Sequence, residues 1–379
     1  MKIAHVCPFY KPAICGVGQV VYELTQRQLK EGHEVHVYTS DWDKNKRIKQ
    51  KEEIIEGVYV HRCYHWFRAV NFVTIWPSVF FKLLKQNFDV VHSHISGHAH
   101  AILAAFATKI KKIRHIHTTH CPWTDAYRNK IGVYGYYISK YTYIPILFKM
   151  VDKVIAITPW EIEFLLSYGC DKDKIKIIPN GMSDIFYKKI KNNDFRRKIK
   201  ISDKDKMVLF FGRLNITKGI DKLIEVAKEI SKERKDIYFV FRGPDEGMKN
   251  LVEKASKENK NIILIKETRD KEEVAKTYQA ADVYVLPSYR EGLPLTLFEA
   301  MASGLPVIAS PVNGIPYEMK EPENGFLVKY GDLNILKKRI LQILDDKKLA
   351  EKISENNKEK AKNYDWDLIY KKTMGLYKS

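Results

Sequence analysis

The chain is poor in cysteine. Five stand at Cys7, Cys15, Cys63, Cys121 and Cys170, an odd number with no two separated by just two residues. Neither a disulfide framework nor a zinc ribbon is expected from that spacing. No run of 18 uninterrupted apolar residues occurs, so no membrane span is expected. The opening MKIAHVCPFY reads as a strand, not as a charged segment leading into an apolar signal core. A reducing, cytoplasmic location is the simplest expectation. Low-complexity tracts, short-period repeats and a basic tail are also missing. Lys and Arg number 65 against 46 Asp and Glu, a net charge of +19, and the excess is spread over both halves. Such a balance suits an anionic partner. The charges alternate along helical stretches and no RNA- or DNA-binding motif is present, so nucleic acid is not expected to be that partner.

What is present is alternation. In the first half, β-branched runs occur at residues 2–7, 34–39, 58–63, 89–94, 113–118, 153–158 and 174–179. In the second they occur at 207–212, 236–242, 261–266, 282–287, 305–310 and 325–329. Amphipathic helical patterns separate them, which is the signature of βαβ units and parallel sheets. Thirteen strands overfill one comfortable open sheet. Two doubly wound α/β sheets are expected, each with a crevice at the carboxyl ends of its strands. The charged stretch at 181–205 reads as the seam, either linker or short helix. Residues 66–88 and 127–151 mix aromatics with Lys and Arg. They read either as helices packed on the sheet or as a surface suited to an anionic bilayer.

Four places carry candidate chemistry. In FGRLNITKG (211–219), Arg213 and Lys218 follow a strand and precede a helix N-terminus, an arrangement that reads as a phosphate or diphosphate site, the alternative being that they are two solvated surface cations. In SYREGLPLTLFEAMASG (288–304), Glu291 falls in a loop and Glu299 about one turn into the following helix, roughly 10 Å apart. Gly16 and Gly18 open the first helix. They lie too far past the first strand for a dinucleotide fingerprint, and no acid ends the second strand, so NAD is disfavoured. All twelve histidines lie at or before His120. His92/His94 and His115/His117 alternate along predicted strands, so each pair faces one side of a buried sheet. No metal site is expected from that spacing. His120 follows its strand into the crevice, where it can donate to a substrate oxygen.

Taken in order, the Gly-x-Gly loop, DVVHSH, HTTH, IPNG, FGRLNITKG, ADVYVLPS, EGLPLTLFEAMASGLPVIAS, NGFLV and a terminal Trp-containing helix resemble the retaining glycosyltransferases of family 4. The resemblance implies the GT-B fold: two Rossmann-like doubly wound domains facing across a cleft. Residues 1–182 plus 363–379 would form the acceptor-side domain and 183–362 the donor-binding domain. Arg213 and Lys218 would grip the donor diphosphate, Glu299 the ribose and Glu291 the sugar. Gly16 and Gly18 would approach the diphosphate or sugar, His120 a sugar hydroxyl, and the Gly292, Leu293, Pro294, Leu295 backbone further hydroxyls. Catalytic roles would fall to His120, Arg213, Lys218 and Glu291. Arg242, where relatives carry a Gly-x-Gly-Pro turn, would add another charge near the donor.

The implied reaction moves a hexosyl group from a UDP- or GDP-sugar to a glycolipid, polyprenol-linked or polysaccharide acceptor. It retains anomeric configuration and uses neither cofactor nor metal. Peripheral contact with an anionic membrane, at the inner face of the cell membrane, goes with such an acceptor. A nucleotide-sugar epimerase or sugar-phosphate synthase of the same fold is the alternative reading.

Overall fold

A computed structural model describes residues 1–12, 16–43, 46–69, 73–120, 123, 130–268 and 270–378. The chain divides into two compact units, Met1–Gly181 with Trp366–Ser379, and Met182–Asp365.

The first unit holds β1 (Lys2–Val6), β2 (Glu34–Ser40), β3 (Glu52–Ile55), β4 (Val58–Cys63), β5 (Phe67–Ala69), β6 (Val73–Ile75), β7 (Val90–His94), β8 (Arg114–Thr118), β9 (Lys153–Ala156) and β10 (Ile175–Ile177). Eight of these make one sheet in the order β10-β9-β8-β7-β1-β2-β4-β3. All neighbours are parallel except β3 and β4. The chain winds outward from β1 to β2 and then returns to β7 on the other side of β1. The topological switch point therefore lies between β1 and β7, where α/β sheets open a crevice. Helix Trp366–Lys378 packs its Trp366, Ile369, Tyr370 and Met374 against Val20, Leu24 and Ile155 of this unit.

The second unit holds β11 (Lys206–Phe211), β12 (Ile237–Arg242), β13 (Ile262–Ile265), β14 (Val283–Leu286), β15 (Val307–Ala309) and β16 (Gly325–Leu327). Their order is β13-β12-β11-β14-β15-β16, all parallel. Here the switch point lies between β11 and β14. Strand interiors such as Val208, Leu209, Phe210, Phe239, Val240 and Phe241 are fully buried, as expected of a sheet covered on both faces. Helix Ile220–Glu233 shows why: Ile220, Leu223, Ile224, Ala227 and Ile230 face the sheet at helical spacing while its Lys and Glu face water.

Each of the thirteen expected runs forms a strand. Among the described residues three further strands occur. Glu52–Ile55 has too many charges to read as a strand, and it sits at the sheet edge, where charge is tolerated. Residues 66–88, expected as helix, instead contain the β5–β6 hairpin before helix Ser78–Leu84. Pro77 cannot continue a helix that begins earlier, and the Trp66 amide bonds the Ile75 carbonyl at 2.9 Å. The 127–151 segment forms helices Lys130–Tyr141 and Tyr143–Met150, its first three residues lying outside the described ones. Among the described residues, no helix is long and apolar enough to cross a membrane.

Candidate functional site

The second unit gathers the expected phosphate-binding and carboxylate residues at its switch point. β11 delivers Arg213 and Lys218, and β14 delivers Ser288 to Glu291. Two close backbone approaches set this geometry. A Cβ on Gly243 would lie 1.8 Å from the Gly212 carbonyl oxygen, and one on Gly219 would lie 2.0 Å from that of Pro287. Gly219 also has φ +66, so glycine is required there on both counts. The turn before it is held by Asn215, whose Oδ1 accepts from the Thr217 amide at 2.9 Å.

Lys218 and Glu291 meet as a buried ion pair. Lys218 Nζ donates to both carboxylate oxygens at 2.6 Å, and the residues are 8% and 7% exposed. Ser288 Oγ adds a third donor to Glu291 Oε1 at 2.7 Å. The Asn313 side chain donates to the Glu291 carbonyl oxygen. Arg213 is more open. Its Nη1 donates to Glu246 at 2.7 Å, and Asn215 donates to the same carboxylate at 3.2 Å. Arg290, half-buried, lies within electrostatic reach of Arg213, and burial lowers its pKa from the usual arginine value. Three cations, Arg213, Lys218 and Arg290, thus serve one strand edge with two carboxylates among them.

Glu299 lies on helix Leu295–Ala302, whose first turn has Pro294 as N-cap and no side-chain cap. Burial pushes the Glu299 carboxyl up to about 7, although Tyr278 donates to its Oε2 at 2.8 Å. The buried Tyr284 of β14 lies within electrostatic reach of both Glu291 and Glu299. Gly292, Leu293, Pro294 and Leu295 form the approach between the two acids. Arg242 does not add to this set. Its guanidinium is buried and donates to the Lys266 carbonyl at 3.1 Å, the Glu273 carbonyl at 3.4 Å and Thr277 Oγ1, so it ties β13 to helix Lys271–Gln279. Ser288, Arg290, Asn313 and Glu246 were missed from sequence. Only Arg290 carried a signal, its place beside Glu291 at a strand's carboxyl end.

In the first unit, Gly16 and Gly18 open helix Gly16–Lys30, Gly16 exposed with open space about it. His92 and His94 share one face of β7, and His115 and His117 the other face of the sheet on β8. Ser93 Oγ bridges His115 and His117 at 2.8 Å each. Unforeseen by spacing, His5 of β1 joins the first pair, and nitrogens of His5, His92 and His94 lie within 4.8 Å of one another. Their six ring nitrogens already have partners. His5 bonds His94 and Gln28, His94 bonds His5 and His120, and His92 bonds Tyr377 and Thr118. His120, at the end of β8, has φ +58, an uncommon conformation for a non-glycine residue. Burial lowers its pKa to about 3.

The comparisons follow the two units. Residues 14–184 match the family model for Glycosyltransferase Family 4, and residues 191–360 match Glycosyl transferases group 1. An uncharacterized glycosyltransferase of Methanocaldococcus jannaschii is 29% identical over 100% of this chain and 98% of its own. The UDP-Gal:alpha-D-GlcNAc-diphosphoundecaprenol alpha-1,3-galactosyltransferase of Escherichia coli is 29% identical over 92% of this chain and 89% of its own. Among solved structures, Anabaena HepE in complex with UDP superposes with a TM-score of 0.79 at 16% identity, covering 100% of both chains. The chain belongs to glycosyltransferase family 4 and has the GT-B fold. It is a glycosyltransferase.

Proposed function

We propose that the chain transfers a hexosyl group from a UDP- or GDP-sugar to a lipid-linked or glycan acceptor, with retention of configuration. The observation that carries the donor half is the buried Lys218–Glu291 pair beside Arg213 and Arg290. Breaking a glycosyl–phosphate bond leaves negative charge on the departing diphosphate. Arg213 and Lys218, fixed at the switch point, stabilise that charge and supply the role a divalent ion plays elsewhere. Glu299 accepts from the ribose hydroxyls, Glu291 orients the sugar, and the Gly292–Leu295 backbone meets further hydroxyls. Gly16, exposed with open space about it, leaves room for backbone amides to approach phosphate or sugar, with the buried Gly18 beside it in the first turn of the helix. His120 is the residue of the first unit that meets a sugar hydroxyl. Glu291 is engaged by Lys218 and Ser288, so it is not assigned as the nucleophile of a glycosidase-type double displacement.

A lipid-linked acceptor is supported by the surface of the first unit. Helix Lys130–Tyr141 exposes Tyr134, Tyr137, Ile138 and Tyr141, and Lys140 lies 5.9 and 5.3 Å from the Tyr137 and Tyr141 rings. Helix Ala99–Lys111 exposes Phe106 and Ile110. Aromatic and basic residues together suit an anionic interface, which supports peripheral contact with the cytoplasmic face of a membrane. The E. coli relative's name carries both a UDP-sugar and a diphosphoundecaprenol-linked acceptor.

The test is thermal unfolding with UDP, GDP, ADP and CMP at millimolar concentration, with and without Mg²⁺. One diphosphate should stabilise the protein by about 2.7 kcal/mol at a hundred times its dissociation constant, with no need for the metal. Equal indifference to all four would remove the donor assignment. Cosedimentation with phosphatidylglycerol vesicles, and not with phosphatidylcholine ones, tests the membrane surface.

A further inference from the structure

We propose that Gln28, His5 and His94 form a buried positioning chain that holds His120 as the Nε2–H tautomer, so that its Nδ1 offers a lone pair to a substrate hydroxyl. The use by substrate rests on the assignment of His120 above. The chain itself rests on hydrogen-bond chemistry.

The direction starts at Gln28, fully buried on helix Gly16–Lys30. Its amide nitrogen lies 3.9 Å from Met374 Sδ, and its side chain also bonds Tyr377. A thioether accepts and never donates, so the NH₂ end must face helix Trp366–Lys378. The carbonyl end therefore faces His5 Nε2, at 2.9 Å, and a carbonyl only accepts. His5 thus carries its proton on Nε2. A neutral imidazole has one N–H, which leaves His5 Nδ1 to accept from His94 Nε2 at 3.1 Å. His94 Nδ1 then accepts from His120 Nε2 at 3.2 Å, and His120 Nδ1 is left bare. A second branch is compatible with it: with the Gln28 NH₂ given to Tyr377, the Tyr377 OH is free to donate to His92 Nδ1 at 2.6 Å, which leaves His92 Nε2 to donate to Thr118 Oγ1 at 2.7 Å. Burial keeps the rings neutral, His5 down to about 4 and His94 well below the ordinary value.

Two consequences distinguish this arrangement from simple packing. His120 accepts a hydrogen bond from substrate, where the sequence suggested that it donates one. The His5–His92–His94 group would also have to give up hydrogen bonds of all three rings to take up a metal ion.

The experiment is long-range ¹H–¹⁵N correlation on the full chain labelled with ¹⁵N-histidine, which separates protonated from bare ring nitrogens. His120→Asn and His94→Asn variants assign the signals. His5, His94 and His120 should all show a protonated Nε2 and a bare Nδ1. A protonated His120 Nδ1 in the unmodified protein overturns the proposal, and this reading needs no variant to fold. Gln28→Met removes the terminal acceptor and should populate the other His120 tautomer. Its kcat should fall about three- to tenfold, the equivalent of one neutral hydrogen bond, with little change in donor KM. An unchanged tautomer in Gln28→Met also overturns it. If the tautomers are as expected but His120→Ala transfers sugar at the normal rate, the chain stands and the substrate role of His120 falls.

Discussion

The two units share a plan and build opposite chemistry at the switch point. Around β7 and β8 the first unit packs neutral imidazoles, of which His5, His92, His94, His115 and His117 each spend both nitrogens on neighbours. Beside β11 and β14 the second unit packs full charges, Lys218 against Glu291 and Arg213 against Glu246. The difference lies in what burial costs. A neutral ring enters a sheet once its two hydrogen bonds are met. A buried charge must find a partner, and that partner must be exchangeable if an anionic ligand is to take its place. A polar but uncharged wall suits hydroxyl recognition, and a charged one suits a diphosphate.

Acid should break this symmetry most strongly. His5, His92, His94, His100, His115 and His117 are fully buried and all hold pKa values below the usual 6.5. In the unfolded chain each takes up a proton as pH falls below 6.5, while in the folded chain burial delays protonation to well below that, to about 4 for His5 and about 3 for His100 and His115. The unfolded state binds more protons over that window, so stability falls with falling pH, on the order of 1 kcal/mol per histidine at pH 5.5. All six tryptophans, at positions 42, 66, 76, 123, 160 and 366, belong to the first unit. Tryptophan fluorescence in urea therefore reports that unit alone, and its midpoint should drop steeply between pH 6.5 and 5.5. A flat midpoint would show that these rings are not held neutral.

Next in size is Lys218→Ala. Turnover should fall 10²- to 10³-fold, as when a transition-state donor is removed. The second unit should also lose about 3–5 kcal/mol, because Glu291 is left buried without its partner. Combining Lys218→Met with Glu291→Gln should restore much of the stability and none of the activity. Arg213→Ala separates the two effects. Its pair with Glu246 is half-exposed, so stability should move by no more than about 1 kcal/mol, while turnover drops at least tenfold (~1.4 kcal/mol). A normal rate for both single variants would remove the diphosphate assignment.

Much of this was legible in the sequence, for identifiable reasons. The β-branched runs and the helix beginning at Leu295 announce themselves through period and punctuation. Arg213 to Lys218 and Glu291 to Glu299 are close in sequence, so their spacing survives folding. What joins distant residues was not legible. Glu246 reaches Arg213 from the loop after β12, Asn313 reaches Glu291 from the loop after β15, and His5 meets His94 because β1 lies beside β7. Arg242 shows the converse: the resemblance set it near the donor as an extra charge, and three acceptors from neighbouring elements claim it instead.

The smallest effect is also the one that turns on a single proton. Glu299 titrates near 7 because burial disfavours its charged form, with Tyr278 and Lys271 pulling the other way. Its folded pKa lies above the unfolded value of about 4.3, so the folded state binds the extra proton between those limits. This group's contribution to stability therefore declines as pH rises from about 4.5 to 7, opposite in sign to the histidines. Ligand binding follows the carboxylate. In the proposed donor site ribose hydroxyls donate to the ionised form, so nucleotide affinity should rise about tenfold from pH 6 to pH 8 and then level off. Binding at pH 7 should release a fraction of a proton, visible as a buffer-dependent heat in calorimetry. Glu299→Gln should bind more weakly, with a flattened pH profile. If the variant keeps the slope, the proton belongs to another group and Glu299 does not hold the ribose.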